Sequence, residues 1–199
     1  YSGVNWLISK LISVKNLTKE FCHFTAVKGI SFDVYKGEIF GFLGANRTKK
    51  TTAMKMLIGI LKPSSGKATI AGFDVYKETE KIKKSIGYMS QKFSLYEDLT
   101  INENIKLFGG IYGLSNEEIE RRRSELINKL ILQNEADKLV GSLPLGWKQK
   151  LAFSIAIFHT PKIVFLDEPT GGVDPLTRRQ FWDMIYEASH NGITVFVTT

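Results

Sequence analysis

The chain has 199 residues, 43% of them hydrophobic and 24% charged, with 17 glycines and 5 prolines. That is globular composition; it excludes disordered, collagenous and low-complexity classes, and the length suffices for a full core. Twenty-seven basic against twenty acidic residues leave a formal net charge of +7, which admits a nucleotide, nucleic-acid or anionic-membrane partner and selects none of them.

The opening YSGVNWLISKLISV has neither a basic start nor a small-residue cleavage site, so it does not read as a signal peptide. Residues 1–11, including Trp6, are expected to be a leading linker or an expression remnant. No run reaches 18 uncharged apolar residues, so no bilayer-spanning segment is expected. Residues 12–18 alternate and predict a strand. Cys22 is the single cysteine, which excludes an intrachain disulfide and fits a reducing compartment. Its neighbour His23 makes only half of a zinc set, and no second pair follows. A second strand is predicted over 30–35, ended by Lys36-Gly37, and a short buried strand over 39–44. TTAMKMLIGIL predicts a helix over 51–61, stopped by Lys62-Pro63. Residues 67–74 read as an edge strand and turn, and 85–91 as a strand running into a loop.

From 100 to 158 the signals turn mostly helical, with two amphipathic segments and a Ser115/Glu118 pair that fits a capping box. ERRRSE reads as a solvated helix face. KIVFLDE, 162–168, is a near-continuous apolar strand ending in two carboxylates. A helix is predicted over 176–190, closed by Asn191-Gly192, with Phe181, Trp182 and Ile185 at core spacing. ITVFVTT is the next buried strand. A start without methionine and an end in mid-strand suggest a piece of a longer polypeptide. The pattern is an α/β core interrupted by a helical insert.

The glycine-containing segment Gly41–Thr52 lies between a predicted strand and a predicted helix, the context of a phosphate-binding loop, G-x-x-x-x-G-K-[ST]. Aligned so, Gly44 is the first glycine, Lys50 neutralises phosphate oxygens and Thr51 offers a hydroxyl to Mg²⁺. The helix N-terminus adds N–H groups and a positive dipole end. Where the pattern wants its second glycine the chain has Lys49. A side chain held left-handed there costs roughly 1–2 kcal/mol. On this segment alone, a phosphate loop and a merely basic turn stand level.

The strand ending IVFLDEP tips the balance. Asp167 at the strand tip is placed to hold Mg²⁺, and Glu168 to act as general base on an attacking water. With Lys50-Thr51-Thr52 earlier in the chain, both halves of one metal–phosphate site are present.

With these motifs in order, the chain from Ile12 to Thr199 resembles the nucleotide-binding domain of ATP-binding cassette transporters, bacterial drug or multidrug export-like. LTKEF resembles the segment that brings an aromatic, here Phe21, to adenine. SQKFSLYEDLT resembles the glutamine loop, with Gln91 near Mg²⁺ and the water. LPLGWKQKLAF resembles the signature motif, and LDEPTGGVDP the magnesium-aspartate motif running into a dimer-contacting loop. The resemblance implies an α/β fold with a P-loop NTPase, RecA-like core of mixed or parallel sheet and flanking helices. It adds an N-terminal antiparallel β subdomain and a helical insert. The implied division is residues 12–99 and 159–199 as α/β core and 100–158 as helical subdomain, cut short at the C-terminus.

The resemblance also implies ATP and Mg²⁺ as cofactors. The nucleotide would be held by Phe21, Gly44, Ala45, Asn46, Arg47, Thr48, Lys49, Lys50, Thr51 and Thr52, and the metal by Thr51, Gln91 and Asp167. Glu168 and Gln91 are the catalytic candidates. Leu143, Pro144, Leu145, Gly146, Gln149 and Asp174 are expected at a head-to-tail dimer contact. Implied partners are a second cassette and a transmembrane permease, with no nucleic acid, at the cytoplasmic face of the inner membrane. Phe93, Leu95 and Tyr96 are expected as an apolar patch for the membrane domain or as local core, and Trp147 as packing under the signature helix.

The sequence departs from the family's pattern at four places. Arg47 and Lys49 replace two glycines of GxNGxGKTT. Pro144 and Leu145 replace the serine and first glycine of the signature, and proline cannot donate a hydrogen bond. Phe21 stands for tyrosine, and the switch histidine is expected beyond Thr199. These leave two alternatives beside a transport ATPase: a degenerate cassette that does not hydrolyse, and a soluble ribosome- or DNA-associated cassette.

Overall fold

A computed structural model describes residues 9–90, 92 and 95–199. Two long strands open it, β1 (Lys10–Phe21) and β2 (Phe24–Tyr35), paired antiparallel. Both run well past the predicted bounds: β1 continues through Lys19 and Glu20, and β2 begins at Phe24, with Ala26 and Val27 buried, because pairing rather than strict alternation extends the hairpin. β3 (Ile39–Phe42) leads into α1 (Arg47–Leu57). That helix starts four residues before the expected Thr51, because Asn46 caps it and Lys49 is already inside. No residue from Arg47 to Leu57 has a positive φ, so the expected left-handed strain at Lys49 is absent.

β4 (Ser65–Ile70) and β5 (Phe73–Asp74) complete a four-stranded antiparallel sheet in the order β2-β1-β4-β5. The expected edge strand over 67–74 is corrected: β4 lies inside, and two-residue β5 forms the edge. The sequence reading missed α2 (Thr79–Ser85), seven residues with Ile82 alone buried. β6 (Ile86–Met89) follows. Residues 100–158 hold α3 (Ile101–Ile111), α4 (Asn116–Lys129) and α5 (Leu145–Ala156), and the chain closes with β7 (Ile163–Asp167), α6 (Pro175–His190) and β8 (Thr194–Thr198). The second sheet is parallel, in the order β3-β8-β7-β6. This is the expected P-loop NTPase, RecA-like core, with an N-terminal antiparallel subdomain and flanking helices.

In the parallel sheet, the inner strands β7 and β8 are buried at every position, as when both faces are covered, while the edge strand β3 is only half-buried. Alternation along its strands sorts side chains between two cores. Ile163, Phe165 and Phe196 join α1 and the antiparallel sheet. Val164, Leu166, Val195 and Val197 join α3–α6, together with Phe153, Phe181 and Ile185. Gly87 of β6 lies so close to the Ala156 carbonyl that any Cβ there would collide with it. Beside it, His159 Nε2 meets the Ile86 carbonyl at 2.9 Å and its ring stacks on Tyr112. Burial holds the His159 pKa below its ordinary value.

The full capping box stands at Thr100 and Glu103, at the start of α3; at Ser115 only the half in which its hydroxyl accepts from the Glu118 N–H is present. The charge run on α4 is solvated at Arg121 but not throughout. Arg122 reaches the Phe158 carbonyl and pairs with Glu118, which ties α4 to the end of α5. Leu95 is core and Tyr96 half exposed; Phe93 and Trp6 lie outside the described residues. Trp147 packs on the helical core, with the Lys150 ammonium over its ring.

Candidate functional site

All four strands of the second sheet run the same way, so their C-terminal tips share one edge, the edge where open α/β sheets bind ligands. Phe42 of β3 and Asp167 of β7 both pair with Thr198 of β8. One strand, β8, thus separates the tip that leads to Lys50 and Thr51 from the tip that carries Asp167 and Glu168. Helix α1, leaving the tip of β3, crosses that gap.

Thr51 Oγ1 donates to Asp167 Oδ2 at 3.1 Å, and Thr198 Oγ1 donates to Asp167 Oδ1 at 2.8 Å. The same Thr198 oxygen accepts from the Glu168 N–H at 3.0 Å. Asp167 is only 3% exposed, yet two hydroxyls satisfy it. Burial pushes the nearby Tyr88 hydroxyl up to about 12, with the Asp167 charge adding to the effect. Thr198 was not anticipated. Its only signal is a polar residue closing an apolar strand, and its meaning depends on register.

Glu168 has φ 45, a left-handed conformation that costs a non-glycine residue about 1–2 kcal/mol. Such strain at a strand tip is a mark of a functional turn. The turn is held by the Thr198 bond and by Gly171, whose N–H donates to the Glu168 carbonyl. Lys50, 6% exposed, places Nζ 3.3 Å from Glu168 Oε1 and donates to the Thr199 carbonyl. Arg47 Nε lies 3.7 Å from Glu168 Oε2. Lys50, Thr51, Asp167 and Glu168 are therefore gathered at one point, with Arg47 at its rim.

The glycine loop is not an open nest. Asn46 Oδ1 accepts from the Lys49 N–H at 3.1 Å, and α1 begins at once. Thr52 turns its hydroxyl back to the Thr48 carbonyl. Beside the loop lies a cavity of about 440 Å³, walled by Val27 and Phe42 and edged by Gly44, Ala45, Lys49 and Lys50. Phe21 does not line it; its ring sits at the hairpin tip, 5.3 Å from Phe24.

The signature-like segment lies on the same side. Pro144 is the N-cap of α5 and gives no side-chain cap; Leu143 is buried and Leu145 is 40% exposed. Gly146 is where α5 meets α6, since a Cβ there would lie 2.6 Å from Thr177 Cγ2. Gln149 is buried and donates to the Gly171 carbonyl at 3.1 Å. Leu145, Gln149, Arg47 and Glu168 border one cavity of about 340 Å³. Asp174 caps α6 by accepting from the Thr177 hydroxyl and N–H, bonds that hold its carboxyl below the usual range. Gln91 lies outside the described residues, although Ser90 and Lys92 border the smaller cavity.

A magnesium–triphosphate fits these donors. Thr51 and Asp167 offer only oxygens, which suits a hard cation. Among the described residues no cluster of three acidic, histidine or cysteine side chains exists that would hold a metal without a ligand's help. Mg²⁺ is ordinarily held by one or two carboxylates plus phosphates. The lysines at the helix start supply the charge a phosphate needs.

The family described as "ABC transporter" matches residues 27–171. The "Probable multidrug ABC transporter ATP-binding protein YbhF" of Escherichia coli (strain K12) is 45% identical over 189 residues, 95% of this chain and 33% of its own length. The "Linearmycin resistance ATP-binding protein LnrL" of Bacillus subtilis (strain 168) is 34% identical, over 95% of this chain and 61% of its own. A solved "Structure of ATP binding subunit of ABC transporter" superposes with a TM-score of 0.83 at 28% identity, covering 95% of this chain and 79% of that one. The chain thus spans between a third and about three fifths of these two curated relatives.

Proposed function

The chain belongs to the ABC transporter family, and on that premise we propose that it is an ATP-binding and hydrolysing domain that powers export. The observation that carries this is the meeting of Lys50 and Thr51 with Asp167 and Glu168 at one sheet edge. In this reading Lys50 binds the phosphates and Thr51 and Asp167 hold Mg²⁺, which when bound supplies charge neutralisation at the phosphates. Glu168 takes the proton of the attacking water. Thr198 fixes Asp167 and, through the Glu168 N–H, the turn that aims the base. Gln91 joins the metal and water, and Phe21 meets adenine. Gly44, Ala45, Asn46, Arg47, Thr48, Lys49 and Thr52 complete the nucleotide contact.

The wider assembly is part of the proposal. A second cassette would stack head to tail, meeting Leu143, Pro144, Leu145, Gly146, Gln149 and Asp174, and a permease domain would receive the stroke at the cytoplasmic membrane face. No described helix is long and apolar enough to cross a membrane. The names of YbhF and LnrL, multidrug and linearmycin resistance, support export of drug-like cargo. Residues 12–99 and 159–199 serve as α/β core and 100–158 as helical subdomain; the grouping of α3–α5 on one face of the parallel sheet supports this.

One observation favours a second reading, a cassette that binds nucleotide without hydrolysing it. Asn46 takes the Lys49 N–H, one of the amides that a phosphate loop turns on its ligand. Phosphate release by the full-length protein, with Glu168→Gln as control, decides. Turnover lost in the variant supports the base. Equal turnover removes Glu168 from that role, and ATP binding without turnover in either form favours the second reading.

A further inference from the structure

Position 47 carries an arginine, at a glycine position of the loop pattern this segment resembles, and its side chain reaches the proposed base. Lys50 Nζ stands 3.3 Å from one Glu168 oxygen and Arg47 Nε 3.7 Å from the other. The two cations are three residues apart in α1 and so share a helix face. They form a fork around one carboxylate. The prongs differ: the Lys50 side chain is 7% exposed and donates to the Thr199 carbonyl, whereas the Arg47 side chain is 62% exposed.

A carboxylate and a terminal phosphoryl group offer such a fork the same thing, paired anionic oxygens. A carboxylate ion-paired on both oxygens is drawn toward the cations and is a weaker base toward a water. We infer that Glu168 sits in the fork that the terminal phosphate of ATP takes on binding. Arg47 is then the positioning residue whose transfer from carboxylate to phosphate releases the base. This rests on the ATP reading above. It gives the chain a built-in delay: Glu168 is disengaged only when a terminal phosphate replaces it, so ADP leaves the latch shut.

A double-mutant cycle on nucleotide binding tests the exchange without turnover. The full-length protein is titrated calorimetrically with ATP and with ADP in excess EDTA. Glu168→Gln removes the competing charge. ATP affinity is expected to rise about five- to tenfold when Arg47 is present and less than about twofold beside Arg47→Gly, with ADP little changed in both. Arg47→Lys, which keeps a cation should glycine unsettle the helix start, retains a several-fold rise. Equal rises with and without Arg47 overturn the exchange and leave the ATP site standing. No ATP binding by the wild-type protein overturns site and exchange together.

Discussion

Thr198 and Asp167 face each other across neighbouring strands, and the threonine hydroxyl serves two masters: it donates to Asp167 Oδ1 and accepts from the Glu168 N–H. Thr198→Val keeps the shape and removes both bonds, leaving a buried acceptor and a donor without that partner. The expected loss of stability is about 1–3 kcal/mol, read as a lower urea midpoint. Thr198→Ser retains the hydroxyl and should recover most of it. A valine variant as stable as wild type would show that the hydroxyl carries no weight.

Asn46 sets where α1 begins. Asn46→Ala removes the side-chain acceptor for the Lys49 N–H, and loss of such a cap costs about 0.5–2 kcal/mol. Thermal unfolding should show it as a lowered midpoint, with Asn46→Asp close to wild type. No change in the alanine variant would mean that water or a neighbour caps α1 equally well.

Gly146 permits α5 and α6 to approach. In Gly146→Ala the new methyl meets Thr177 Cγ2 at 2.6 Å, so something must shift. Overpacking of this kind costs roughly 1–3 kcal/mol. Thr177→Ser removes the offending methyl while keeping the hydroxyl that bonds Asp174. The pair Gly146→Ala with Thr177→Ser should therefore be more stable than Gly146→Ala alone; additive losses would place the strain elsewhere.

His159 gives the fold a pH dependence. Its folded pKa lies below the ordinary 6.5 because burial disfavours the charged ring. The unfolded chain therefore takes up the proton first as pH falls. The contribution of neutral His159 is complete above pH 6.5 and is lost as pH drops from there through the folded value. His159→Phe keeps a ring against Tyr112 and cannot titrate. Unfolding free energies from pH 8 to 5 should slope less in the variant; the slope is the readout, since the bond to Ile86 is also lost.

Most strands were legible because a doubly covered sheet needs continuous apolar runs, and IVFLD and TVFVT supply them. That Lys50 and Thr51 would meet Asp167 and Glu168 was legible because spacing within each strand–loop unit survives folding. Strand order was not: nothing in the residues themselves says that β8 inserts between β3 and β7, and Thr198 acquires its partners only through that insertion. The strain expected at Lys49 rested on a glycine-type turn. It is absent because Asn46 supplies a helix cap, a local option that a family pattern does not display. Helix α2 escaped notice because one buried residue, Ile82, makes no period.

Helix α5 is braced at both ends. Its last turn abuts Gly87 with no space for a methyl, and its first turn abuts Thr177 across Gly146. One straight element thus spans the strands from Leu145 and Gln149 at their C-terminal tips to Gly87 near the start of β6, and neither contact can widen or close without moving the helix.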